Sequence, residues 1–134
     1  MKKPAIDIGI VAHNHEKYIA KCIESVFQQQ LDKPFRVVVI DDCSNDGTLE
    51  ILKELHSRYN FELILNENNL GIIDTAKILL SQISAKYFCW LDGDDYWIYP
   101  HKLQKQIDLL DKNHEFSGCF HDAEILQENN KDNV

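Results

Sequence analysis

Tyr87-Phe88-Cys89-Trp90-Leu91-Asp92-Gly93-Asp94-Asp95-Tyr96-Trp97 carries an apolar, aromatic run directly into three carboxylates, with a glycine between the first two. The run reads as a buried strand and the carboxylates as its exit. Like charges about 4 Å apart repel by roughly 4 kcal/mol at an effective dielectric near 20, so carboxylates fixed at a strand end favour a cation between them. Carboxylate oxygens are hard ligands that suit magnesium, manganese or calcium better than zinc. The competing reading is a solvated acidic turn. The buried strand before the cluster, and Trp97 and Pro100 after it, argue that the cluster is held in place.

Three further strand-then-helix units precede this one. Ile6 to Ala12 is apolar on both faces apart from Asp7 and Gly9, the pattern of a central parallel strand. His13-Asn14-His15 is its exit, with Asn14 or His15 expected to open a helix whose stripe is Ile19, Cys22, Ile23, Val26 and Phe27. Phe35 to Ile40 is the second strand. It ends in Asp41-Asp42-Cys43-Ser44-Asn45-Asp46-Gly47-Thr48, a turn rich in acceptors and capping residues, followed by a helix carrying Leu49, Leu52 and Leu55 and ending near Arg58. Asp46 and Thr48 read as caps. Asp42 reads either as a turn anchor or as an acceptor for a base N–H or ribose hydroxyl. Phe61 to Leu65 is the third strand, and Ile73, Ala76, Leu80 and Ile83 outline a third helix.

Beyond Pro100, a natural first helical residue, Leu103, Ile107 and Leu110 set the face of a fourth helix ending near Asn113. Phe116 to Ile125 reads as a last, more polar strand, and residues 127–134 as a polar tail after a domain spanning 1–126. Strands alternating with helices predict an α/β fold, a Rossmann-like, mostly parallel sheet with helices on both faces. Such sheets bind ligands beyond the carboxyl ends of their strands, where the strand order reverses. That edge would gather His13-Asn14, Asp41-Asp42 and Asp92 to Asp95.

Composition narrows the chemistry. The 134 residues carry 14 Lys plus Arg against 22 Asp plus Glu, a net charge of -8, with no basic run, which argues against binding to a nucleic-acid backbone. No apolar run is long enough for a membrane span, and the expected location is cytoplasmic. Cys22, Cys43, Cys89 and Cys119 show no paired spacing and read as reduced thiols. His13 and His15 form an i, i+2 pair without further ligands at zinc-site spacing. Neither Gly-x-Gly-x-x-Gly nor Gly-x-x-x-x-Gly-Lys-Ser/Thr occurs, so nucleotide phosphates would have to be held through a metal. Tyr96, Trp97 and Tyr99 read as core aromatics or as packing for a further segment.

Four motifs in order resemble one family. Ile10-Val11-Ala12-His13-Asn14 stands where it has a strand ending in Tyr-Asn or a similar pair. Val39 to Thr48 is similar to its Val-Val-Asp-Asp-Gly-Ser-x-Asp-Gly-Thr. Asn69-Leu70-Gly71 with Ala76-Lys77 resembles Asn-x-Gly and Ala-Arg-Asn, and Leu91 to Asp95 resembles its Asp-x-Asp-Asp motif. From about Ile6 to Glu124 the chain looks like the amino-terminal half of a family 2 glycosyltransferase with the GT-A fold. The resemblance implies a nucleotide-sugar donor, most often a UDP-sugar, bound by Asn14, Asp42, Lys77, Asp92, Asp94 and Asp95. Mn or Mg would sit on Asp94 and Asp92. The implied reaction is inverting transfer to a glycan or a lipid-linked sugar, with the general base in a later acceptor segment beyond this chain. Cys43 for Gly, Lys77 for Arg and Ile78 for Asn depart from the pattern. A receiver-like domain fails on the order of its acidic residues. A non-catalytic nucleotide-sugar-binding or interaction module on the same fold is the alternative.

Overall fold

The computed structural model describes residues 2–127. Four parallel strands, β1 (Ile6–Ala12), β2 (Phe35–Asp41), β3 (Glu62–Leu65) and β4 (Tyr87–Asp92), form one sheet in the order β3-β2-β1-β4. They alternate with α1 (Ile19–Phe27), α2 (Thr48–Arg58), α3 (Gly71–Ser81) and α4 (Lys102–Lys112). β1 is central, as its unbroken burial demands: Ile8 pairs with Val37 on one side and with Cys89 on the other. The order turns back between β1 and β4, so their carboxyl ends flank the switch point.

The two-residue period of the strands sorts the core into two layers. Ile6, Ile8, Ile10 and Ala12 of β1, with Val37 and Val39 of β2, pack against Ile19, Cys22, Ile23 and Val26 of α1, Leu52 and Leu55 of α2, and Leu103 and Ile107 of α4. The opposite face, with Val11, Val38 and Ile40, is covered by α3 through Leu79. A Cβ on Gly9 would lie 2.6 Å from Leu79 Cδ2, so Gly9 is what allows α3 to seat on β1.

The same face buries one charge pair. Asp7, 1% exposed, stands in register with Arg36 and takes Nε and Nη2 of that guanidinium at 2.9 Å each. Its Oδ2 also accepts the backbone N–H of Ser84 at 2.7 Å and of Ala85 at 2.9 Å, and Arg36 reaches on to the Gln82 carbonyl. Burial raises the Asp7 pKa, but Arg36 and the two backbone donors outweigh it and hold the carboxyl below its usual value. Two central strands and the α3–β4 connection are thereby joined at the edge opposite the switch point.

Three expectations from the sequence are corrected. Residues 116–125 form no strand: the segment makes no ladder with β4 and leaves Phe120 97% exposed. Extended, polar-interleaved sequence becomes a strand only where a partner supplies the hydrogen bonds. Of the residues that outline the third helix, Ile73 and Leu80 point outward and Ile83 lies past the end of α3; Thr75 and Leu79 are buried, with Leu79 seated on Gly9. Neither Asn14 nor His15 opens α1, which begins at Ile19. Asn14 has φ +54°, outside the helical region, and a turn intervenes. Of the polar tail, residues 128–134 lie outside the described residues.

Candidate donor and metal site

The loops after β1, β2, β3 and β4 meet at the carboxyl edge, tied together by hydrogen bonds between loops. Asp42 N–H donates to the Ala12 carbonyl at 2.8 Å and Gly93 N–H to the Val11 carbonyl at 2.9 Å, so the sheet pairing continues into the first residue of both exits. The Asn14 side-chain carbonyl accepts Asn45 N–H at 2.8 Å, and Ser44 Oγ accepts Asn14 N–H at 3.0 Å. Asp46 accepts the N–H and hydroxyl of Thr48 and the N–H of Glu16. It forms a side-chain turn one residue before Gly47, the N-cap of α2, and is not itself the cap.

Asp92 closes β4, and Gly93 and Asp94 form a tight turn in which Asp95 N–H returns to the Asp92 carbonyl at 3.0 Å. Asp92, Asp94 and Asp95 are all exposed, yet each offers a carboxylate oxygen within 4.8 Å of the others. Trp90 Nε1 donates to Asp92 Oδ1 at 2.7 Å and fixes one of them. No Lys or Arg pairs with the three among the described residues. The nearest cationic candidate is His15, whose Nε2 lies 3.9 Å from Asp94 Oδ2. Partial burial, then Asp94 and Asp92, raise the Asp95 pKa, with His15 pulling the other way. That is the signature of a crowded, under-compensated cluster. Hard oxygen ligands converging on open solvent fit Mg²⁺ or Mn²⁺, which keep several waters and take a few carboxylates.

The other residues singled out in the sequence occupy defined places. Asp42 is 3% exposed and spends both oxygens inside the chain: Oδ1 accepts Asn66 Nδ2 at 2.8 Å and Leu70 N–H at 2.9 Å, and Oδ2 accepts Gly71 N–H at 2.9 Å. Burial pushes its pKa up, but the bonds from Asn66, Leu70, Thr75 and Gly71 prevail and keep it below the ordinary carboxylate value. Asp42 thus anchors the β3–α3 loop. Contact with a base would require one of these bonds to be released. Asn14 is exposed and engaged with the neighbouring loop, and Lys77, on α3, pairs with Asp74 at 2.7 Å and with none of Asp92, Asp94 or Asp95. Trp97 is partly buried against the main core and its backbone N–H donates to Ser25 Oγ, while Tyr99 remains 44% exposed. Asp122 and Glu124 lie in the exposed segment after α4.

Two histidines belong to this edge in ways that sequence spacing does not show. His13 Nδ1 donates to the Asp42 carbonyl at 2.8 Å, leaving Nε2 to accept from Asn14 Nδ2 and Asn69 Nδ2, each at 3.3 Å. His15 lies under Gly93, where an added Cβ would stand 2.7 Å from its Nδ1. The two rings therefore face different neighbours.

Residues 7–132 match the family described as Glycosyl transferase family 2. The chain belongs to that family. Among curated relatives, an uncharacterised protein of Mycobacterium tuberculosis is 35% identical over 125 residues, covering 92% of this chain and 36% of that protein. An uncharacterised glycosyltransferase of Haemophilus influenzae is 32% identical over 126 residues, covering 93% of this chain and 38% of the relative. This family 2 chain thus spans little more than a third of the length of the curated relatives it matches first. In three dimensions it is similar to residues 1–349 of Staphylococcus aureus TarS, solved in complexes with UDP and with UDP-GlcNAc. The TM-score is 0.71 and the identity 31%, over 81% of this chain and 32% of that one. A mannosyltransferase from Pyrobaculum calidifontis, solved with GDP-Man and Mn²⁺, has a TM-score of 0.70 at 21% identity, covering 81% of this chain and 33% of that one, a likeness of fold. The four-stranded parallel sheet with its helices is accordingly the α/β arrangement of GT-A glycosyltransferases.

Proposed function

We propose that this chain forms the donor-binding part of an inverting glycosyltransferase. It would hold a nucleotide-diphosphate-sugar at the carboxyl edge of its sheet, with a divalent cation, Mn²⁺ or Mg²⁺, on Asp92 and Asp94 and with Asp95 beside them. The observation that carries the reading is the convergence of those three carboxylates within 4.8 Å at the switch point of a family 2 chain. The UDP and UDP-GlcNAc complexes of TarS favour a uridine nucleotide. When bound, the cation supplies charge stabilisation to the diphosphate that leaves the anomeric carbon.

The chain's own residues prepare that place. Trp90 fixes Asp92, and the Gly93 turn, pinned to Val11, aims Asp94 and Asp95 into the same opening. Asp42 shapes the neighbouring wall by holding Asn66, Leu70 and Gly71, and His13 and Asn69 line the space between those loops. An inverting displacement also needs a base within hydrogen-bond reach of the acceptor hydroxyl. The resemblance to family 2 glycosyltransferases implies that this base and the contacts to a glycan or lipid-linked acceptor belong to the part of the relatives that this chain does not cover.

Calorimetry of UDP, UDP-GlcNAc and GDP with and without Mn²⁺, on this chain and on Asp94→Ala, tests the proposal. Binding of a uridine nucleotide that needs Mn²⁺ and disappears in the variant is expected. Binding that is indifferent to the metal and to Asp94 would contradict it.

A further inference from the structure

We infer that His15 is a positioning residue for the acidic turn: seated beneath Gly93 with Nε2 toward Asp94, it sets the direction in which Asp94 offers its carboxylate to a cation. The inference rests on the metal-site reading above and adds a residue that the spacing of the acidic motif does not contain.

Three observations support it. The first is space. A Cβ at position 93 would meet His15 Nδ1 at 2.7 Å, the Val11 carbonyl at 3.0 Å and Ala12 Cβ at 3.2 Å, so the imidazole occupies the room that glycine leaves and the turn rests on the ring. The second is the anchoring of the residue. His15 N–H donates to Thr48 Oγ1 at 2.8 Å, and its carbonyl accepts the N–H groups of Tyr18 and Ile19 at 2.9 Å each, so the starts of α1 and α2 hold its backbone from both sides.

The third is the state of the ring nitrogens. Nδ1 is the one buried side-chain N or O atom without a hydrogen-bond partner among the described residues. A buried lone pair without a partner is tolerated better than a buried N–H, so the neutral ring keeps its proton on Nε2. That nitrogen faces Asp94 Oδ2 at 3.9 Å, too long for a hydrogen bond in this structure but near enough to orient a carboxylate. Asp94 has no other hydrogen-bond or ion-pair partner among the described residues, whereas Asp92 has Trp90. Of the two carboxylates assigned to the metal, Asp92 thus accepts from an indole, and Asp94 faces an imidazole nitrogen 3.9 Å away. Groups that orient metal ligands in this way typically change metal affinity by about 10–100-fold when removed.

The test is Mn²⁺ titration of the chain, reading the free ion by electron paramagnetic resonance, on the parent and on His15→Phe, His15→Gln and Asp94→Asn. Circular dichroism of each confirms the fold. Phenylalanine keeps the ring under Gly93 and removes the donor, and glutamine restores a donor of similar reach. Asp94→Asn should abolish Mn²⁺ binding, His15→Phe should weaken it about 10-fold with an unchanged spectrum, and His15→Gln should recover most of the loss. Pulsed resonance on the parent should show no directly coordinated nitrogen. Parent-like affinity in His15→Phe, with Asp94→Asn still deficient, would overturn the inference alone, and so would a ¹⁴N coupling that makes the ring a ligand. An absence of saturable Mn²⁺ binding in the parent would remove the metal-site reading and this inference with it.

Discussion

Asp7→Ala removes a carboxylate that is 1% exposed and accepts four hydrogen bonds, two from Arg36 and one each from Ser84 and Ala85. The alanine leaves a guanidinium, 28% exposed by side chain, without its main partner, and two backbone N–H groups with none. Breaking a buried pair from one side costs about 3–5 kcal/mol, a large part of the roughly 5–15 kcal/mol that holds a domain together. For a chain of this size that corresponds to a fall in melting temperature of about 10–20 °C. Urea denaturation followed by circular dichroism at pH 7 measures it. The Asp7→Ala/Arg36→Ala double variant should lose less than the sum of the single losses, because the two residues act as one unit.

The pH dependence has a definite sign. A carboxyl held below its ordinary value of 3.8 stabilises the fold fully above that value and loses the contribution as pH falls through the lower native one. The gap between parent and variant should therefore be constant from pH 7 to about 5 and narrow below about 4. A destabilisation under about 1 kcal/mol at pH 7, or a gap that widens in acid, would refute the reasoning.

Asp42→Ala should destabilise the fold by about 2–4 kcal/mol, since three donors lose their acceptor, and should speed hydrogen exchange at Leu70 and Gly71 before other amides. Its lowered pKa gives the same sign, a contribution present at neutral pH and fading below about 4. Iodoacetamide at pH 7.5 should leave the buried Cys22 unmodified until the chain unfolds and should label the half-buried Cys89 slowly. Burial pushes the Cys89 thiol up to about 12, and burial with the nearby acidic turn pushes Cys22 up as well. Peptide mass spectrometry reads both sites, and fast labelling of either in the folded chain would contradict their placement.

Much of the fold was legible because local pattern and global packing agree. β1 and β2 are β-branched and buried along both faces, and α1 has one apolar stripe, so periodicity alone gives their extents and the buried side of that helix. α3 resisted because its apolar sector is wider than its buried one: Ile72, Ile73 and Leu80 are exposed while Leu79 is buried. The side that turns inward is chosen by a glycine sixty-odd residues earlier in the chain, at position 9, which no window along the helix contains. The segment 116–125 has strand-like residues, but strand formation depends on a partner rather than on composition.

At the site, the acidic turn was visible because strand and carboxylates are contiguous, and its convergence with the β1 and β2 exits followed from the alternation of elements. The engagement of Asp42 with the β3–α3 loop is not decided by sequence, since one aspartate serves as anchor or as ligand. The seat of His15 under Gly93 is not legible in sequence because Gly93 is distant in the chain and contributes only empty space. The signal that was available is the glycine itself, the one residue between two carboxylates that carries no side chain.

The central claim is that a cation on Asp92 and Asp94 joins a donor nucleotide to the switch point of this sheet. A crystal structure of the chain grown with UDP and Mn²⁺, with data collected at the manganese edge, tests it most directly. The account predicts an anomalous peak in bonding contact with both carboxylates and with the diphosphate. Nucleotide bound away from the β1 and β4 exits, or manganese seated elsewhere with the acidic turn bare, would contradict it.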